Sequence, residues 1–390
     1  NGRLKLYVNG IARTITHTGD VPATAPALAS TPFRVGRSAT FGADGYFDGL
    51  IDDVRVYSRA LASDDVKALV ALRTGFVSYT DSNLHFSPNH FVDTGNWKHT
   101  VNTNSELDVA FSGTSLKLAG ETGAQSNPLL SNSNPAIEYS VDGGSWTRVS
   151  LGRTQWETTI ASGLSSGSHS ARIKFASGTL FIRDRWNTPE FTWKIRGVIL
   201  DSGASLSAPT IRANKLLVYG DSHCEGGEAL STGSSDERDD NSARITAPQI
   251  IADYFNMECS SVAFGSQGYS TSATPANVPN CKDAWDKFYS GQSRLSGGLF
   301  IDQPDVILLL HGHNTTVQAD VQTTLTGLRA AAPSATIVAC CGPNLQSATA
   351  ISAAVTAVAD ANTYYVTHGE ALFSTVSYRQ GSAPHLTVTG

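Results

Sequence analysis

Leu216-Leu217-Val218-Tyr219-Gly220-Asp221-Ser222-His223 is the stretch on which the reading of this chain turns. Four consecutive apolar residues run into a glycine turn that presents a serine. Two similar runs follow, Val306-Ile307-Leu308-Leu309-Leu310 and Thr336-Ile337-Val338-Ala339. Unbroken apolar runs of this length read as parallel strands buried on both faces, because an antiparallel strand with one wet face would alternate. Between them the pattern becomes helical over Ala243 to Tyr254 and Val317 to Ala331, the second with Val321, Leu325 and Leu328 on one side. Strands alternating with helices predict an α/β domain with a parallel sheet. In such sheets ligands bind beyond the carboxyl ends of the strands, so the chemistry belongs in the turns that follow these runs.

Those turns carry reactive residue types in order. After the first strand comes Gly220-Asp221-Ser222-His223. After Val262-Ala263-Phe264 comes Gly265-Ser266-Gln267-Gly268-Tyr269, and after Leu310 comes His311-Gly312-His313-Asn314. Near the end stands Ser382-Ala383-Pro384-His385. The separations of 46 residues from Ser222 to Gly268 and 46 from Gly268 to Asn314 each leave room for a βα unit. Over about residues 215 to 390 this constellation resembles the SGNH, or GDSL-type, hydrolase superfamily. The resemblance implies Ser222 as nucleophile and His385 as general base. It implies an oxyanion hole from the N–H groups of Ser222 and Gly268 and the side-chain amide of Asn314, with an acyl-enzyme released by water. The residue types suit those roles. A serine hydroxyl needs a base within hydrogen-bond reach, glycine admits close approach of substrate, and asparagine donates an N–H without a charge. His223, His311 and His313 are expected to line the substrate site. Two positions depart from the family. Ser382 stands where an Asp usually precedes the histidine, so a backbone carbonyl or another acid such as Glu370 would orient His385. Thr315 replaces the Asp usual after the asparagine.

The first 212 residues read differently. Leu4, Leu6 and Val8 alternate before an Asn9-Gly10 hairpin turn, and Tyr46 to Tyr57 reads as a turn and a strand. Ser63 reads as the cap of a short helix holding Asp64, Asp65, Val66, Leu69 and Val70. The strings LYVNG, FRVGR and YFDGLIDDVRVYSRALASDDVKAL within this stretch resemble the C-terminal half of a laminin-G/concanavalin-like jelly roll. A full domain of that kind is longer, so a piece of a longer polypeptide is expected, or strands supplied from elsewhere. From residue 78 short strands recur between Gly-rich turns, among them Leu107–Phe111, Leu116–Leu118, Ile137–Val141 and Ala171–Phe175, which predicts a β-sandwich. FSGTSLKL, IEYSVDGG and LSSGSHSARI resemble the jelly-roll module that precedes the catalytic domain of some carbohydrate esterases. Trp97, Trp146, Trp156, Trp186 and Trp193 are candidates for stacking on sugar rings or for its core. The expected organisation is multidomain: a partial laminin-G-like sandwich over 1–75, a jelly-roll sandwich over 76–212 and a three-layer SGNH domain over 213–390.

Charge and cysteine content narrow the class further. With 28 Lys+Arg against 34 Asp+Glu among 390 residues, no basic face for nucleic acid is expected. No apolar run reaches eighteen residues, so no membrane span is expected. The five cysteines contain no CxxC pair, and Cys224, Cys340 and Cys341 read as packed residues. A Cys259–Cys281 disulfide is open to an exported chain. A His-x-His pair can hold zinc, but the nucleophile pattern accounts for His311 and His313 better, and neither a metal nor another cofactor is expected. The acidic stretch Ser234–Asp240 reads as a solvated loop. The function expected is a serine-dependent esterase removing O-acetyl groups from a glycan or polysaccharide. The alternative is a non-catalytic glycan-binding protein of a phage tail or cell-surface fibre. Either places the chain outside the cell, at its surface or on a virion, and either is compatible with a homo-oligomer or a larger assembly.

Overall fold

The structure is a computed structural model and describes residues 5–8, 11–13, 56–57, 59–62, 65–66, 75–123, 134–152, 155–177, 183–190, 192–230, 237–274, 276–342 and 345–367. The chain forms two compact units, residues 1–73 and 74–390. In the first, Leu6–Val8 pairs antiparallel with Ile11–Arg13, and Val8 lies opposite Ile11. Asp65 and Val66 are helical. Of the expected strand up to Tyr57, Val56 and Tyr57 are exposed and without regular structure, and the rest of it, with the remainder of the helix after Ser63, falls outside the described residues.

The second unit begins with two antiparallel sheets. One orders the strands Thr147–Ser150, Ala136–Val141, Ser168–Ser177, Glu106–Ser112 and Leu206–Ser207, with Leu84–Phe86 also on Glu106–Ser112. The other orders Gln155–Ala161, Leu116–Thr122, Trp193–Leu200, Lys98–Thr100 and Val92–Asp93, with Phe76–Ser78 also on Trp193–Leu200. Alternation makes this a sandwich: Leu107, Val109 and Phe111 point inward and meet Leu118, Ile173, Phe175, Trp193 and Ile195. Trp156, Trp186 and Trp193 are core residues. Trp97 and Trp146 are half-buried and lie against cations, Lys194 at 5.0 Å from the Trp97 ring and Arg244 at 5.2 Å from that of Trp146.

Antiparallel pairing gives way to parallel pairing between Ser207 and Asn214. Five parallel strands follow: β1 (Asn214–Gly220), β2 (Met257–Ala263), β3 (Val306–Leu309), β4 (Thr336–Cys340) and β5 (Thr363–Val366), in the spatial order β2-β1-β3-β4-β5. This is a doubly wound order with its switch point beside β1. The connections carry helices α1 (Ser222–Glu225), α2 (Ala247–Tyr254), α3 (Gln318–Ala331) and α4 (Ala348–Val358). α3 lies where its period places it, with Val321, Leu325 and Leu328 fully buried. The helix expected from Ala243 is broken: Ala243–Ile245 is one 3-10 turn, Thr246 is extended, and α2 starts at Ala247 with Pro248 in its first turn. Proline lacks an N–H and disfavours helix in the residue before it, so it opens a helix better than it continues one.

All five cysteines are free thiols. The Cys259–Cys281 bridge is therefore not formed, and Asn104 Nδ2 instead donates to Cys259 Sγ at 3.3 Å. Among the described residues no helix is long and apolar enough to cross a membrane.

Candidate active site

The site is built where β2, β1 and β3 end side by side. β1 has β2 on one flank and β3 on the other. The ladder continues one step past the strands, Phe264 N–H donating to Gly220 O at 3.2 Å and Leu310 N–H to Tyr219 O at 2.8 Å. The turn after β1 thus emerges between the loops 264–271 and 310–316.

Ser222 opens α1, and the turn around it is fixed from both ends. Asp221, extended at φ −105° and ψ −154°, caps the helix by accepting from His223 N at 3.1 Å and His223 Nδ1 at 2.8 Å. Burial alone would raise the Asp221 carboxyl, but the neighbouring His223 outweighs it and holds it below the usual range. At the other end Gly226 has φ +89°, and a Cβ there would lie 2.5 Å from the Ser242 backbone, so only glycine closes the turn. Gly226 N–H and Gly227 N–H donate to Ser222 O at 3.1 and 2.9 Å. Cys224 is buried, and burial pushes its thiol well above the ordinary range, which removes it as a rival nucleophile.

Gly268 and Asn314 are packed against each other. A Cβ on Gly268 would stand 2.9 Å from Asn314 Cβ, and Asn314 Nδ2 donates to Gln267 O at 2.9 Å. A primary amide carries two N–H groups, so this bond uses one of them. The Gly268 N–H itself donates to Thr271 O at 2.9 Å, inside its own loop. His313 meets His223 ring to ring, centroids 5.1 Å apart at 68°.

His311 departs from the expected lining role. It is fully buried, with its ring on Tyr269 at 5.7 Å, and burial lowers it to about 4, so it is neutral near pH 7. His385, Ser382 and Glu370 lie outside the described residues.

Two residues that sequence reading passed over complete the surroundings. Glu225, on α1, is fully buried, its carboxylate paired with the Arg185 guanidinium and accepting from Gly265 N–H at 2.5 Å. Arg185 comes from the sandwich, 40 residues earlier in the chain. A glutamate inside the run Cys224-Glu225-Gly226-Gly227 is a weak sign of a buried carboxylate, and no local pattern names its partner.

A family model described as the concanavalin A-like lectin/glucanases superfamily matches residues 1–67. Comparison with curated protein sequences found no significant match. Among solved structures, a family two carbohydrate esterase from Cellvibrio japonicus is similar at 18% identity and a TM-score of 0.67, over 81% of this chain and 93% of that one. The family two esterase from Clostridium thermocellum in complex with cellohexaose has 19% identity and a TM-score of 0.64, over 78% and 94%. An acetyl xylan esterase from the rumen bacterium Butyrivibrio proteoclasticus has 14% and 0.65, over 81% and 94%. The second unit therefore shares the fold of these esterases, a β-sandwich followed by an α/β domain with a parallel sheet.

Proposed function

We propose that the chain is a serine-dependent ester hydrolase that removes O-acetyl groups from a polysaccharide or glycan. The observation that carries this reading is the convergence at the carboxyl edge of the sheet. The capped Ser222 turn emerges there between the loops that hold Gly268 and Asn314 against each other. In the reaction, His385 takes the Ser222 proton as Oγ attacks the acetyl carbonyl carbon. The oxyanion forms facing the Ser222 and Gly268 N–H groups and the Asn314 amide. For Gly268 to contribute, its N–H must exchange the Thr271 carbonyl for the oxyanion. Collapse breaks the C–O bond, and the sugar hydroxyl leaves with the proton held by His385. Water, deprotonated by the same histidine, then attacks the acyl-enzyme, returns Ser222 and releases acetate.

The polysaccharide part draws on the acetyl xylan and cellohexaose named for the structural relatives. A polymeric substrate fits action outside the cell or at a surface. Hydrolysis of a short acetyl ester tests the catalytic part. The purified chain should turn it over and Ser222→Ala should not; no turnover, or turnover that survives the substitution, refutes the assignment.

A further inference from the structure

The Arg185–Glu225 pair joins the Ser222 helix, the 264–268 loop and the sandwich. The Glu225 backbone N–H donates to Asp221 O at 3.0 Å, and its carbonyl accepts from Thr103 Oγ1 of the sandwich at 3.1 Å. One carboxylate oxygen takes Arg185 Nη1 and the other takes Gly265 N–H at 2.5 Å. Arg185 reaches onward: Nη2 donates to Val101 O at 2.9 Å, its backbone N–H donates to Ala276 O at 3.0 Å, and its guanidinium lies 4.7 Å from the centre of the Phe264 ring. Both side chains are nearly sealed from water, 5% and 0% exposed. A buried ion pair is weak evidence for stability, since its desolvation offsets much of its attraction. What this pair does hold is position. The Gly265 end of the loop is tied to the nucleophile helix by Glu225, and the Gln267 end is tied to Asn314.

We infer that Glu225, oriented by Arg185 of the sandwich, is a positioning residue that sets the 264–268 loop against the Ser222 turn. The sandwich is thereby part of the active-site framework. This rests on the hydrolase reading, and its test separates the two. In an Arg185→Met background, which leaves no stranded guanidinium, Glu225→Gln keeps an acceptor for the Gly265 N–H and Glu225→Leu removes it. Displacing a catalytic loop by an ångström costs on the order of 10²-fold in rate. The Leu double variant should lose kcat on that scale with KM nearly unchanged, while the Gln double variant, which keeps the Gly265 acceptor but lacks the arginine that orients it, should lose only about tenfold. Equal kcat in the two double variants overturns the inference.

Amide hydrogen exchange over 264–268 gives a second readout that needs no turnover. Exchange should quicken more in the Leu double variant than in the Gln double variant, and equal exchange in both again overturns the inference. A wild type that hydrolyses no ester sinks the hydrolase reading, and the exchange comparison still decides the positioning role. Should the Leu double variant not fold, Arg185→Lys serves instead, because a lysine cannot hold Glu225 and the Val101 carbonyl together. It should lower kcat about tenfold at constant KM, by the same positional argument; an unchanged kcat overturns the inference.

Discussion

Asn314 shows how much one side chain is asked to do. It is pressed against Gly268, it spends one N–H on Gln267 O, and its other N–H is the donor assigned to the oxyanion. Asn314→Ala is therefore expected to lower kcat by about 10²–10³ with a small change in KM, the usual cost of one oxyanion donor. Steady-state kinetics on an acetyl ester check it, and a loss confined to KM would contradict the role. At this scale the sequence was readable where a residue's chemistry is advertised by its turn. Ser222, Gly268 and Asn314 could be picked out because each follows an apolar run. Glu225 and Arg185 could not, because their pairing depends on how the sandwich docks. His311 was read as lining for a related reason: nothing local says that its ring is buried edge-on against Tyr269.

Elements were legible in proportion to their length and regularity. β1, β3, β4 and α3 carry unbroken or strongly periodic apolar residues and fell where expected. The ribbons Lys287–Tyr289 with Gln292–Ser293 and Leu295–Ser296 with Leu299–Phe300 did not, since two or three residues hold no period. Packing between elements produces a pH prediction. His90 bridges Ser87 Oγ at 2.8 Å and the Ser261 carbonyl of β2 at 3.1 Å, and complete burial lowers it to about 3. The native state thus refuses a proton that the unfolded chain accepts near pH 6.5. The stabilisation is full above that pH and is lost as pH falls toward 3. In His90→Gln the stability difference between pH 7 and pH 5 should shrink by about 2 kcal/mol, read from denaturant midpoints at each pH. An unchanged difference would show that His90 is not held neutral.

Over the whole second unit, the sandwich and the α/β domain are joined by buried polar groups. Lys174, 1% exposed, donates to Asn104 Oδ1 at 3.1 Å and Gln249 Oε1 of α2 at 2.8 Å, and pairs with Glu106 at 2.6 Å. Arg294 is fully buried against Asn89 O and Asn102 Oδ1, at 3.0 and 2.9 Å. Breaking one such group strands its partners. Lys174→Met is expected to cost about 3 kcal/mol and to lower one shared calorimetric transition of sandwich and α/β domain. A transition that splits in two would show that they unfold separately. None of this joint was visible in the sequence, where the two layers read as successive modules. The joint is also what brings Arg185 to Glu225, and so ties the remote half of the unit to the chemistry.

The central claim is that this framework performs Ser222-dependent deacetylation of a glycan. Its most direct test is acetate release from a panel of acetylated polysaccharides, wild type against Ser222→Ala at equal concentration. The account predicts acetate from at least one polymer with wild type and none above background with the variant. Binding without acetate release across the panel, or equal release by both proteins, would contradict it.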